Sequence, residues 1–164
     1  MTIEQNADGL SQAYGRDQGG PAIGGEIGGV GVDRVAVIAL DYTDFAAFGT
    51  EARLGNLPIY SLPEGALITE AYIDVDTGFV SAGSATLDIG IVKEDGTVVD
   101  ANGLFAATAK TAIDTVGERA VGAGALINGA KTTVKSFISA TVGTADFTAG
   151  AGRLVVTYRL NANV

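Results

Sequence analysis

A chain of 164 residues with no Cys and no His has neither a thiolate nor an imidazole to work with. Disulfides, thiolate zinc sites, cysteine nucleophiles and histidine-dependent acid–base catalysis are therefore excluded. Its 19 acidic against 10 basic residues give a net charge of −9, which repels phosphate backbones and anionic membrane surfaces, so neither a nucleic acid nor a membrane is expected as partner.

The length suits one domain, which at this size buries roughly two-thirds of its extended-chain surface and needs no metal or crosslink to hold a core. The 47% hydrophobic fraction is largely Ala and Val, and with 24 Gly, 6 Phe and no Trp the composition is light, turn-rich and β-prone. No segment approaches the ~20 apolar residues of a membrane span. The first residues, MTIEQ, lack a basic start followed by an apolar run, so no secretory signal is expected, and synthesis in a cytoplasm is.

Residues 1–33 read as an extended, Gly-rich N-terminal arm and residues 34–164 as the folded domain. Nine glycines between Gly9 and Gly31 make backbone ordering costly, and nothing in that stretch builds a core of its own. Two readings fit: a plain solubilising tail, or an arm that orders against a partner. Ile23, Ile27, Val30 and Val32 sit among the glycines like anchors, which suits the second. Fully extended, such an arm spans about 100 Å at ~3.3 Å per residue.

Residues 34–41 (RVAVIALD), opened by Arg34, form the first strand candidate, apolar enough to be buried on both faces or paired at a subunit contact. Residues 42–57 show no period; Tyr42, Phe45 and Phe48 read as aromatics that pin a long connection or line a contact surface. PIYS at 58–61 is a brief strand, and Pro63-Glu64-Gly65 a turn. From Ala66 a long strand places Leu67, Thr69, Ala71, Ile73 and Val75 on one face and Glu70, Tyr72, Asp74 and Asp76 on the other. A loop at 78–84 leads to a strand with Leu87, Ile89 and Ile91 inward, and Glu94-Asp95-Gly96 reverses the chain into Thr97-Val98-Val99. Residues 104–117 fit a short helix or an irregular crossing loop. Two further strands are expected at 132–142 and 153–160, the turn before the last at 148–152. Seven or eight strands between Gly-rich turns indicate an all-β fold, an antiparallel β-sandwich with jelly roll as the preferred topology.

The search for chemistry returns little. No serine has a nucleophile-elbow context. The glycines of residues 24–31 lack the strand, helix and lysine of a phosphate loop. Asp74 and Asp76, with Asp88 on a neighbouring strand, are the only paired carboxylates; as a glycosidase pair they need a groove of stacking aromatics, and as a calcium site further oxygen ligands. A solvated acidic sheet face is the simpler account, so an enzyme, a cofactor and a metal are not expected.

Three runs then carry a resemblance: LPEGALIT at 62–69, IDVDTGF at 73–79 with TLDIG at 86–90, and the close FTAG at 147–150 followed by RLVVTY at 153–158. Over residues 60–160 the chain resembles the capsid decoration, or cement, proteins of tailed bacteriophages. The resemblance implies a β-sandwich or jelly-roll module on the outer surface of the virion, trimeric more often than dimeric, whose arm crosses subunits of the major capsid protein. It makes Ile23, Ile27, Val30, Val32, Arg34, Tyr42, Phe45 and Phe48 the candidate capsid or subunit contacts. The rival readings are a head-fibre or tail-associated module that binds host glycans, and a carboxylate-based glycoside hydrolase.

Overall fold

A computed structural model of the chain describes residues 2–5, 11–14, 33–47, 49–54 and 61–160. Among them run eleven strands: β1 (Thr2–Gln5), β2 (Ser11–Tyr14), β3 (Asp33–Asp41), β4 (Glu51–Arg53), β5 (Ser61–Leu62), β6 (Ala66–Ser81), β7 (Thr86–Lys93), β8 (Val98–Ala109), β9 (Arg119–Val121), β10 (Ser136–Gly143) and β11 (Phe147–Leu160). Asp33–Leu160 forms one compact unit; β1 and β2 belong to a second, where they pair antiparallel with Thr2 opposite Tyr14 and Gln5 opposite Ser11. The sequence reading placed no strand there. Its anchors Ile23, Ile27, Val30 and Val32 lie outside the described residues, as does Phe48.

The compact unit is an antiparallel β-sandwich. One sheet has the order β3-β11-β6-β9; the other runs β4-β10-β7-β8, with β5 also pairing β10. Strands alternate between the sheets in the interleaved manner of an eight-stranded jelly roll, and only β7 and β8 are neighbours both in sequence and in a sheet. The core draws Ile38, Leu40, Ile73, Val75, Leu154 and Val156 from the first sheet and Leu87, Ile89, Ile91, Phe105, Ile138 and Val142 from the second. Each such aliphatic side chain contributes about 1.5–3 kcal/mol by leaving water.

Bulges account for most departures from the expected pattern. Tyr158 pairs with Ile68 while Thr157 pairs with Glu70, so Thr69 is an extra residue on β6. That single insertion reverses the alternation. Ala66 and Ile68, not Leu67 and Thr69, enter the core before Ala71, Ile73 and Val75 resume the expected face. A second irregularity at Asp76 carries β6 on to Ser81, so the expected loop at 78–84 is largely strand and Phe79 is fully buried. Residues 148–152, expected as a turn, continue β11; Gly150 has φ +135°, and a Cβ there would overlap the Phe79 ring. Residues 104–109, ambiguous between helix and loop, are the end of β8. Only Lys110–Ala112 coils, as one 3-10 turn. The strand expected at 132–142 begins at Ser136. Thr132 instead lies buried before it, its hydroxyl accepting from Ala66 N at 2.9 Å and donating to Pro63 O at 2.6 Å. Of the strand expected at 58–61, only Ser61 lies among the described residues, at the start of β5.

Candidate interaction surfaces

Asp74 and Asp76 both point outward from β6, but Asp88 lies on β7 in the opposite sheet. The neighbours of β6 are β11 and β9, so Asp88 does not join Asp74 and Asp76, and the catalytic and calcium alternatives lose their third carboxylate. Each carboxylate is already engaged. Asp74 accepts two hydrogen bonds from the guanidinium of Arg119 on β9, at 2.6 and 3.0 Å, and Asp76 accepts one from Arg153 on β11 at 3.1 Å. Asp88 accepts from Ala107 N at 2.6 Å, in a bulge where Ala107 takes φ +46°. The hydrogen bonds from Arg119 hold the Asp74 carboxyl below the usual carboxylate value. This is the opposite of the raised value that a general acid needs. Among the described residues no group of three or more His, Cys, Asp or Glu is placed to hold a metal ion.

Tyr42 and Phe45 do come together. Asp41 caps the 3-10 turn Tyr42–Asp44: its carboxylate accepts from Thr43 N at 2.9 Å, and Asp44 returns a contact to Asp41 N, also at 2.9 Å. Hydrogen bonds from the Thr43 hydroxyl and N–H pull the Asp41 carboxyl below its ordinary value. The turn sets Phe45 against Phe147 at 5.8 Å and Phe79 at 6.1 Å between ring centroids. Over this cluster lies an open cleft of about 380 Å³, lined by Tyr42, Thr43, Phe45, Val142, Asp146 and Phe147. Phe45 is thus a staple on its inner side and cleft wall on its outer side. Arg34 is elsewhere, exposed near the start of β3 opposite Tyr158.

The sequence reading missed the outer face of the β3-β11-β6-β9 sheet as a unit. Registers across the four strands align Val37, Val155, Tyr72 and Val121 in one row. The next row holds Ala39, Arg153, Asp74 and Arg119. Arg119 lies over Tyr72, 4.1 Å from the ring centroid, and Arg159 on β11 pairs with Asp33 on β3 through both carboxylate oxygens. The result is an apolar stripe edged by arginine–aspartate pairs. Val35 and Val37 stand 57% and 49% exposed, whereas Val155 between strands is 8% exposed. The apolar run of residues 34–41 was the available signal. It is not buried on both faces within the described residues.

Chains in three bacteriophage capsids share this fold. A chain of the acidic stable capsid structure of Helicobacter pylori bacteriophage KHP30 is 17% identical, with a TM-score of 0.55 over 80% of this chain and 90% of that one. A chain of the cyanophage Pam1 capsid asymmetric unit is 20% identical, with a TM-score of 0.54 over 91% and 96%. A chain of the capsid of Ralstonia phage GP4 is 19% identical, with a TM-score of 0.56 over 90% and 93%. At these identities the likeness is one of fold. No family model and no curated protein matches the chain.

Proposed function

We propose that this chain is a structural protein of a phage virion, and more narrowly a cement protein on the outer surface of the head that bridges subunits of the major capsid protein. The observation that carries the reading is the jelly roll shared, nearly end to end, with chains of three phage capsids. The engaged carboxylates support the non-enzymatic part of it, since Asp74 and Asp76 are tied to arginines rather than poised over a groove. An acidic surface suits a position outside the shell, away from packaged DNA. In this reading residues 1–33 reach across neighbouring subunits, with Ile23, Ile27, Val30 and Val32 as anchors and Tyr42, Phe45 and Phe48 as further contacts. Contacts that span a seam stabilise a closed shell by binding only the assembled form.

The test is to mix the purified chain with capsids that lack it and follow co-sedimentation and image reconstruction. Density on the capsid exterior over subunit seams is the expected result, and no association at micromolar concentration overturns the reading. The glycan-binding alternative has one specific foothold, the cleft of about 380 Å³ beside Tyr42. Saccharide binding that Tyr42→Ala abolishes, with no affinity for capsids, would favour it instead.

A further inference from the structure

We infer that β3 is the contact by which two copies of this chain associate, pairing antiparallel about a two-fold axis so that two four-stranded sheets become one of eight. Among the described residues no strand pairs with the outer edge of β3. Among those residues no strand takes up its alternate backbone N–H and C=O groups there, which can template a further strand. The other sheet edges are poor templates: β4 and β9 have three residues each, β5 has two, and β8 is broken by register shifts. By contrast β3 pairs with β11 over nine residues without a shift, from Asp33 opposite Arg159 to Asp41 opposite Ala151. It carries no Lys, Pro or bulge to guard that edge, and two of its outward side chains are the exposed Val35 and Val37.

Charge and pattern select a second copy as the occupant. Two chains of net charge −9 repel, and least through a face whose carboxylates are internally matched. The outer face of this sheet is largely such a face: Asp33, Asp74 and Asp76 are held by Arg159, Arg119 and Arg153, Asp41 accepts from Thr43, and Glu70 stands exposed. The strand is also self-complementary. With the axis at Ala36, Val35 of one copy faces Val37 of the other, twice. Asp33 then faces Ala39, so no like charges stand opposite. The apolar row of Val37, Val155, Tyr72 and Val121 then continues across the seam into Val35 of the other copy, whose own row goes on to Thr157 and Glu70. An isologous contact of this kind gives a dimer. This reading therefore takes the two-copy form over the threefold one that the family resemblance favours, and it stands apart from the capsid proposal because it is tested without capsids.

Sedimentation of the full chain over a range of concentrations is expected to show a species of twice the 16.5 kDa chain mass. Val37→Lys is expected to weaken that association at least about tenfold while leaving the melting temperature of the domain nearly unchanged, because the site is on the surface. The chain has no cysteine, so crosslinking reads cleanly. The double variant Val35→Cys/Val37→Cys is expected to form a disulfide-linked dimer under diamide, and Val121→Cys, at the far edge, is not. A monomer at every concentration, a three-copy species, or a dimer indifferent to Val37→Lys and refractory to crosslinking overturns the inference. So does a monomeric chain whose capsid attachment is lost in Val37→Lys, which would give the edge to a strand of the capsid instead.

Discussion

Arg119 grips Asp74 through both guanidinium arms, at 2.6 and 3.0 Å, and so ties the three-residue strand β9 to the long strand β6. The same guanidinium lies over Tyr72, and Ala120 beside it enters the core, so side chains as well as backbone hold that edge. The Asp74 carboxyl is depressed below its ordinary value of 3.8, so its contribution to stability is complete above that value. It is lost as pH falls through the lower, folded value. Melting temperatures of the wild type and Asp74→Asn are expected to differ at pH 7 and to converge in strong acid. Arg119 is exposed and Asp74 half-buried, so 1 M salt is expected to narrow the gap in part.

Gly150 meets two obstacles to a side chain at once. Its φ of +135° is one that L-residues avoid, and the Phe79 ring occupies the space of a Cβ. Gly150→Ala is expected to cost about 2–5 kcal/mol, from backbone strain and overpacking together. Urea denaturation reads this as a lower midpoint with an unchanged slope.

Thr132 fastens the loop before β10 to the start of β6 with a hydroxyl that both accepts from Ala66 N and donates to Pro63 O. Thr132→Val keeps the shape and removes both bonds, leaving Ala66 N and Pro63 O only the longer bond of 3.3 Å that they make to each other. A loss of about 1–3 kcal/mol is expected in the same assay, with faster amide exchange at Ala66 as the local sign.

A chain that starts at Asp33 contains the whole compact unit Asp33–Leu160. It is expected to fold, with a cooperative melt close to that of the full chain. Under the cement reading it attaches to capsids more weakly than the full chain does. Equal attachment would reduce residues 1–32 to a tail.

The strands that could be read from residue order are those whose alternation is uninterrupted. Leu87, Ile89 and Ile91 on β7, and Leu154 and Val156 on β11, face the core as their spacing requires. Where a bulge inserts one residue, the spacing misleads. Thr69 turned the face of β6 at its start, and the bulge that holds Ala107 broke the alternation of an alanine-rich strand, which left helix and crossing loop both open. Three residues are too few to show any period, which hid β4 and β9. With β9 hidden, Arg119 could not be matched to Asp74, and the aspartates looked freer than they are. Phe45 was recognisable as a staple because an aromatic in a connection is usually covered by something, whereas Tyr42 beside it stays exposed. The row from Val37 to Val121 was not, since it exists only once the registers of four strands are known.

The interleaved strand order has a kinetic corollary. Apart from β7 and β8, joined by the Asp95-Gly96 reversal, every ladder of the sandwich closes between segments far apart along the chain. Such wiring makes the search for the native arrangement slow, on a scale of about milliseconds to seconds. Departure from it is slower still, since β11, the last strand, is clasped between β3 and β6 and cannot peel away alone. A slow exit from the native state is therefore expected, readable as a small unfolding rate after a jump into denaturant.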